Sequence, residues 1–145
     1  MNILVTGGAG FIGSHLIDYL LAAGHRVVCV DDLSLGRMEN IAHHDGNRRF
    51  TFAKLNILQE PVFSEVFAAH GFEQVYHLAA NSDIQESAAN LQADLEKTFM
   101  TTFVTLKCMR QHAVKNIVFA SSSTIYGEHA APLHEDIGPL FPISL

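Results

Sequence analysis

The stretch LVTGGAGFIGSHL, from Leu4 to Leu16, places four glycines between a short apolar run and a pattern of helical period. A pyrophosphate can approach a backbone closely only where side chains are absent, and the free N–H groups at a helix start can donate to it. Two registers coexist, Gly8-x-Gly10-x-x-Gly13 and Gly7-x-x-Gly10-x-x-Gly13. Taken alone, the glycines also fit a tight turn that holds no ligand.

An acidic residue follows at the position that such a ligand needs. Asp31 comes directly after a second apolar run, 18 residues beyond Gly13. There a carboxylate can accept hydrogen bonds from both hydroxyls of a ribose, and its charge would repel a 2′-phosphate. The alternative is a loop-capping acid beside a tight turn. Strand, glycine turn, helix and acid together favour a dinucleotide site that takes NAD rather than NADP.

The elements that must position these groups alternate along the chain. β-branched and apolar runs predict strands, and apolar residues at helical spacing, with Gly24, Pro61 and Gly71 as boundary signals, predict the helices between them. The predicted strands are Asn2–Thr6, Arg26–Val30, Phe50–Ala53, Gln74–Ala79 and Asn116–Ala120.

The stretch from Leu91 to Met109 is ambiguous, because its threonines favour strand. Its apolar residues nevertheless keep helical period for five turns, which is too long for a strand, and we predict a helix. The alternation therefore predicts an α/β fold with a doubly wound parallel sheet. Together with the glycine turn after the first strand, it leads us to expect the Rossmann type, with about five strands in the order 3-2-1-4-5. Residues 1–145 would form one NAD-binding domain.

Four motifs in this order, TGGAGFIGSHL, VDDLSLG, HLAANSDIQES and FASSSTIYGE, resemble the extended short-chain dehydrogenase/reductase family. The resemblance is closer to its NAD-dependent nucleotide-sugar epimerases and dehydratases, particularly the UDP-glucose 4-epimerase-like members. It implies a hydride taken from C4 of the sugar by NAD⁺, a 4-keto sugar that rotates, and return of the hydride to the other face.

The resemblance also implies roles for individual residues. The Gly7/Gly10/Gly13 register and the amides of Phe11 and Ile12 would face the pyrophosphate, and Asp31 and Asp32 would hold the adenosine ribose. The remaining cofactor contacts implied in this way are Asn56 and Ile57 beside the adenine, and Leu78, Ala79 and Ala80 towards the nicotinamide.

The long helix departs from the family pattern. The family usually carries Asn-x-x-Gly-Thr there, whereas this chain has Thr98 and Thr101 in place of the Asn and the Gly. Close packing of that helix, and the contact that the Asn makes, are therefore open questions.

Ser122 aligns with the family's catalytic Ser/Thr, and Ser122, Ser123 and Tyr126 are the implied substrate contacts. Without the resemblance, the favoured interpretation is a serine cluster that only ends a strand through side-chain-to-backbone hydrogen bonds. Dehydratases of the family often place Asp-Glu after the catalytic hydroxyl, where this chain has Ser123 and Thr124. That difference favours an epimerase over a nucleotide-sugar 4,6-dehydratase.

The segment Pro142–Leu145 matches the beginning of the family's Pro-x-Ser-x-Tyr-x-x-x-Lys pattern. We expect the sequence to stop before the catalytic Tyr and Lys, the last strands and the C-terminal substrate domain. The chain alone is then expected to bind NAD weakly and to turn nothing over, although the parent protein would be an enzyme acting on a nucleotide sugar. The rival class is a non-enzymatic NAD(H) sensor or interaction module.

Two surfaces are expected to lack their usual neighbours: the edge of the fifth strand and the helix face carrying Phe99, Phe103 and Leu106. Both predict self-association, as a homodimer or otherwise.

Composition excludes other classes. Nine basic and fifteen acidic residues give a net charge of −6, which argues against nucleic acid as a partner. The chain lacks a long apolar run or a signal-like start, and its two cysteines suit a reducing cytoplasm. Of the nine histidines, His43-His44 and His129/His134 match no ligand pattern and have no acidic residue to complete a set, so no metal is expected. His77 is expected to be a hydrogen-bonded core residue.

Overall fold

A computed structural model of the chain describes residues 1–83, 85, 90–127, 129 and 132–137. Five parallel strands form one sheet in the order β3-β2-β1-β4-β5, which confirms the predicted topology. The strands are β1 (Asn2–Thr6), β2 (Arg26–Asp31), β3 (Phe50–Lys54), β4 (Gln74–His77) and β5 (Ile117–Phe119).

Helices connect the strands. They are α1 (Phe11–Ala22), α2 (Glu60–His70), α3 (Leu91–Asp94) and α4 (Thr101–Gln111), with a π-helical turn at Leu95–Met100 joining α3 to α4. Short 3₁₀ turns occupy Met38–Asn40, Ala42–His44 and Ser123–Tyr126. The sequence signals at two helix ends are confirmed: Gly71 caps α2 in the left-handed conformation, and Gly24 follows α1 with φ +88°.

Two predicted strands are shorter than expected. β4 ends at His77 rather than Ala79, because its partner β1 ends at Thr6, opposite His77, and the chain then turns at Gly7. β5 contains only Ile117–Phe119 of the predicted Asn116–Ala120, since its register with β4 ends at the same His77. The early strand ends leave Leu78 to Ala80 as irregular backbone at the sheet's carboxyl edge.

Each face of the sheet is covered by helix. On one face Ile17, Leu20 and Leu21 of α1 pack on β1 and β2, and on the other Phe63 and Phe67 of α2 pack against α4. Both phenylalanines are essentially inaccessible, and each contributes about 1.5–3 kcal/mol through burial. This two-sided core holds the carboxyl ends of β1, β2 and β4 in fixed positions.

The ambiguous segment is helical, as predicted, but a π turn at Leu95–Met100 interrupts its α-helical geometry. The hydroxyls of Thr101 and Thr102 donate to the carbonyl oxygens of Lys97 and Thr98 at 2.7 Å each. Such back-bonding by threonine bends helices, and π turns concentrate at functional positions. The turn lies beside the sheet's carboxyl edge. Within the described part of the chain, no helix combines the length and apolarity needed to cross a membrane.

Candidate functional site

A cavity of about 350 Å³ opens at the carboxyl edge of the sheet. It lies where the strand order reverses, between β1 and β4, the place where open parallel sheets bind ligands. Ten of the twelve predicted cofactor residues line it: Gly7, Gly10, Phe11, Asp31, Asp32, Asn56, Ile57, Leu78, Ala79 and Ala80. Ile12 and Gly13 do not line it; both lie in the first turn of α1, where Ile12 is exposed and Gly13 is buried.

Gly7 is held against the opposite wall of this cavity. Its φ is +68°, and its amide donates to the Val30 carbonyl at 2.8 Å. A Cβ at this position would stand 2.7 Å from the Ala79 nitrogen, which no real side chain tolerates. Glycine is therefore required here twice, by backbone conformation and by the close approach of the β4 end.

The first turn of α1 has the features of an anion-binding site. A Cβ on Gly13 would lie 2.5 Å from the Gly7 carbonyl oxygen, so the helix packs directly on the turn. The first intrahelical bond runs from the Ser14 amide to Gly10, and the earlier amides belong to the donors that a helix leaves unpaired. The first turn has no acidic residue, and Gly10 provides no side-chain cap. The positive end of the helix dipole is thus available.

Asp31 is bound into the same structure. Its Oδ2 accepts from the Ala9 amide at 2.9 Å and its Oδ1 from the Leu33 amide at 2.8 Å. The second bond holds Leu33 at φ +63°, a conformation that leucine rarely adopts. The loop-capping role considered from the sequence is therefore real, and Asp31 also lines the cavity.

Burial raises the pKa of Asp31, an effect that the two backbone hydrogen bonds oppose and the negative charge of Asp32 reinforces. The side chain is nearly enclosed, with 9% of the residue exposed. Each carboxylate oxygen keeps acceptor capacity beyond its one amide, so the group can still receive ribose hydroxyls.

Gly36 is a site residue that the sequence reasoning missed. A Cβ there would stand 2.8 Å from both carboxylate oxygens of Asp31 and 2.9 Å from the Ala9 Cβ. Glycine thus lets the loop after β2 cover the acid. Gly36 could have been predicted from the sequence, since it is the last residue of the VDDLSLG motif. Other lining residues that were not predicted are Ser34, Leu35, Ser82, Glu96, Lys97 and Thr101, along with Val30, Leu55 and Leu58.

Two predicted polar residues already have internal partners. Asp32 Oδ1 accepts from the Ser34 amide, and Asn56 Oδ1 accepts from the Leu58 amide, each at 2.9 Å. Both side chains are exposed and line the cavity, while Ile57 is buried beneath it. The oxygen predicted to reach an adenine is therefore also the acceptor of a local turn.

His77 is a hydrogen-bonded core histidine, as predicted, with 1% of the residue exposed. Its Nδ1 lies 2.8 Å from Thr6 Oγ1 and its Nε2 lies 3.0 Å from Thr102 Oγ1. The Thr102 hydroxyl donates its proton to Thr98, so Nε2 donates to Thr102 and Nδ1 accepts from Thr6. Burial lowers the pKa of His77 to about 4, consistent with this neutral tautomer.

The threonines that replace the family's Asn and Gly are structurally accommodated. The Asn81 amide donates to Thr98 Oγ1 at 3.0 Å, which ties the chain after β4 to the π turn. Thr101 is buried and lines the cavity, so a side chain fits where the family usually has none. At this position the helix therefore has a π turn and threonine hydroxyls that donate to backbone carbonyl oxygens, in place of a close-packed glycine.

Ser122 and Tyr126, two of the predicted catalytic and substrate residues, do not line the cavity. Ser122 is exposed between β5 and the 3₁₀ turn Ser123–Tyr126, and Tyr126 is half-buried at the end of that turn. The expectation for Pro142–Leu145 lies outside the described residues.

The expectation that no acidic residue completes a histidine pair is wrong. Asp18 of α1 places Oδ1 at 2.8 Å from His43 Nε2 and 2.7 Å from His44 Nε2. Three potential metal-ligand atoms thus lie within 4.8 Å of one another. No spacing rule shows this, because Asp18 is brought to the histidines only by the folding of the loop after β2.

The parallel sheet, the glycine turn at its switch point and the enclosed acid define a Rossmann-type fold with a dinucleotide-type crevice. The chain belongs to the NAD dependent epimerase/dehydratase family, whose sequence pattern matches residues 3–144. The predicted cofactor, NAD, is the one on which this family depends.

Individual relatives agree with this assignment. The chain is 36% identical over 142 residues to the UDP-glucose 4-epimerase of Halalkalibacterium halodurans, covering 98% of this chain and 41% of that protein. The Thermus thermophilus UDP-glucose 4-epimerase in complex with NAD has a TM-score of 0.87 at 33% identity, covering 98% of this chain and 45% of that one. The Thermotoga maritima UDP-glucose 4-epimerase with UDP-glucose has a TM-score of 0.81 at 38% identity, covering 91% and 41%. The chain therefore spans about two fifths of the length of these relatives.

Proposed function

We propose that this chain is the NAD-binding portion of a nucleotide-sugar epimerase. The observation that carries the proposal is the joint arrangement of the glycine turn and the acid: Gly7 packs against Ala79, and Asp31 accepts from Ala9 of the same turn. The unpaired amides at the start of α1 can receive a pyrophosphate, and a ribose fits beside an enclosed carboxylate.

The residues of the cavity suit the parts of the cofactor. Amides of Phe11, Ile12 and Gly13 would receive the pyrophosphate, Asp31 and Asp32 the adenosine ribose, and Asn56 and Ile57 the adenine. Leu78, Ala79 and Ala80 would form the wall towards the nicotinamide, where small side chains permit backbone approach. When bound, NAD supplies an acceptor and donor of hydride.

Epimerisation is favoured over 4,6-dehydration by the residues that follow Ser122. Water elimination needs an added acid/base pair, and the sequence has Ser123 and Thr124 rather than Asp and Glu at those positions. The relatives named above are UDP-glucose 4-epimerases, which supports a nucleotide sugar as the substrate of the whole protein. Ser122 would hydrogen-bond the sugar oxygen that loses its proton.

Binding and turnover are separate properties of this chain. Among the described residues that line the cavity, none is a tyrosine, the residue type to which the family resemblance assigns proton transfer. We therefore expect residues 1–145 to bind NAD weakly without epimerising a nucleotide sugar. Isothermal titration calorimetry with NAD⁺ tests binding, and a coupled assay with UDP-galactose tests turnover. Absence of binding by the folded chain would refute the cofactor assignment, and steady turnover lost in Ser122→Ala would refute inactivity.

A non-enzymatic NAD(H) sensor is the second candidate, and the same lining without tyrosine favours it. A sensor should distinguish NADH from NAD⁺ in affinity and change its association with a partner. Equal affinities for the two forms would argue against it.

Self-association is the proposed quaternary behaviour. The side chains of Phe99, Phe103 and Leu106 share one face along the π turn and α4, and about half or more of each residue is exposed. β5 is an edge strand whose Val118 and Phe119 are also exposed. An exposed apolar face beside an open strand edge favours pairing of two copies.

A further inference from the structure

Away from the cavity, three side chains of metal-ligating type converge on one point at the surface. Asp18 comes from the middle of α1, and His43 and His44 come from the 3₁₀ turn Ala42–His44. Both imidazole Nε2 atoms lie within hydrogen-bond distance of the same carboxylate oxygen, Asp18 Oδ1. Adjacent residues usually diverge, so this convergence depends on how the turn is held.

The turn is held firmly. Ile41, directly before it, is buried in the core against α1. Asn40 Nδ2 donates to the Ala9 carbonyl at 2.7 Å, and the Arg37 amide donates to the same oxygen at 3.0 Å. These contacts fix the segment before the histidines to the glycine turn.

The rings themselves are also positioned. The His44 ring packs on Phe50 with centroids 5.2 Å apart and on His43 at 4.0 Å, and its side chain is only 12% exposed. His43 and Asp18 are about half exposed, which leaves one side of the group open to solvent. The three side chains are therefore held in place by α1 and by the packed His44 ring, and the group is open to solvent on one side.

The ligand set selects a class of ion. Two imidazole nitrogens and one carboxylate oxygen suit Zn²⁺ and its neighbours Co²⁺, Ni²⁺ and Cu²⁺, whereas Mg²⁺ and Ca²⁺ prefer sets of oxygen ligands. Around tetrahedral Zn²⁺, with bonds of about 2.0–2.1 Å, ligand atoms stand roughly 3.3 Å apart. The three atoms here lie within 4.8 Å of one another, and the two Asp18–His separations of 2.7 and 2.8 Å need to open by only about half an ångström.

We propose that Asp18, His43 and His44 form a site for one divalent transition-metal ion, with a solvent molecule in the open position. The ion would join α1 to the loop after β2. These two elements carry Phe11 and Gly36 into the cavity, so the metal would brace the dinucleotide crevice from outside without touching it. The proposal is independent of the proposed function, since it rests on other residues.

The test uses the chain without a histidine tag and titrates it with Co²⁺, whose visible absorption reports the ligand geometry. We expect saturation at one ion per chain, bands typical of four or five ligands, and displacement by Zn²⁺. Asp18→Asn and His43→Gln should each weaken Co²⁺ binding by at least about tenfold. His43→Gln changes an exposed ring, so it serves as the second variant if Asp18→Asn fails to fold.

Matched controls are available nearby. Asp45→Asn removes an equal charge beside His44 but outside the group, and His129→Gln removes an exposed imidazole elsewhere. Both should bind Co²⁺ like the unmodified chain. Zn²⁺ should also raise the thermal midpoint of the unmodified chain and of Asp45→Asn, but not that of His43→Gln. Unsaturable or absent Co²⁺ binding, or unchanged binding in His43→Gln, would overturn the proposal.

Discussion

The amide of Ala9 donates a 2.9 Å hydrogen bond to Oδ2 of Asp31, so the glycine turn after β1 and the acid at the end of β2 form one connected structure. The two parts that would hold the pyrophosphate and the ribose cannot move independently. Changes at either part should therefore affect both the stability of the crevice and its affinity for NAD.

Replacing Asp31 with Asn should weaken NAD binding by about tenfold to hundredfold, because hydrogen bonds to a charged acceptor are worth about 1.5–3 kcal/mol. Titration calorimetry measures the affinity, and circular dichroism checks the fold, since Asn cannot accept from both Ala9 and Leu33 through two oxygens. Asp45→Asn, an equal change of charge at an exposed position, should leave the affinity unchanged. Equal affinities for Asp31→Asn and Asp45→Asn would contradict the ribose assignment.

The affinity for NAD should also depend on pH through Asp31. Burial raises the pKa of its carboxyl group, so protonation, and with it loss of binding, should begin at a higher pH than for an ordinary aspartate. The native chain holds this proton more tightly than the unfolded chain, so this group makes the fold more stable as pH falls through the raised pKa. Protonation of Asp31 therefore does not unfold the chain in that pH range. Weaker NAD binding there would reflect a lower affinity of the folded chain. The difference in affinity between the unmodified chain and Asp31→Asn should shrink as pH falls, and a constant difference would count against the prediction.

Gly7 and Gly46 form a matched pair for testing the close approach to Ala79. Both have left-handed φ values, +68° and +76°, but a Cβ on Gly46 would meet nothing within 4 Å. Gly46→Ala should lower the free energy of unfolding by about 1–2 kcal/mol through backbone strain alone and should leave NAD binding unchanged. Gly7→Ala should lose more stability in urea unfolding and most of its NAD affinity. Equal effects of the two substitutions would show that the close approach does not matter.

Stability between about pH 4 and pH 6.5 should depend on His77. Burial lowers the pKa of His77 from 6.5 to about 4, so the unfolded chain binds a proton in this range that the native chain does not. The free energy of unfolding should be highest above pH 6.5 and should fall by up to roughly 3 kcal/mol as pH is lowered towards 4. In His77→Gln this pH-dependent loss should be absent. The free energy of unfolding of the variant should therefore depend less steeply on pH, whatever its stability at neutral pH. His129→Gln, at an exposed position, should keep the original slope, and an unchanged slope in His77→Gln would refute the assignment.

Substitution of the exposed aromatic face should reduce self-association. Phe99→Ser combined with Phe103→Ser removes most of the exposed apolar area of that face, where the two residues are 63% and 52% exposed. Sedimentation equilibrium should show concentration-dependent dimers for the unmodified chain and monomers for the double variant. Tyr19→Ser, an exposed aromatic position on α1, is the control and should still dimerise. A monomeric unmodified chain at high concentration would remove the basis for this prediction.

The sequence by itself determined the alternation of strands and helices, the glycine turn and the place of Asp31 at a strand end, because those depend on local periodicity and on residues near the strand ends. The strand order 3-2-1-4-5 was expected from the general topology of doubly wound sheets with such a turn, and the structure confirms it. The sequence also indicated the helical state of the threonine-rich segment and the enclosed state of His77. These features are set by neighbours along the chain or by a simple rule about where parallel strands end.

Only the tertiary structure placed Gly36 over Asp31, linked Thr6 to His77 and Thr102, and brought Asp18 to His43 and His44. Each of these contacts joins residues from different elements, and two of them depend on the path of the loop after β2. That loop has no period from which its path could be read, since it is held by hydrogen bonds to Ala9 and Asp31 and by the burial of Ile41. The physical reason is that packing across the sheet edge, rather than local preference, decides where an irregular segment lies.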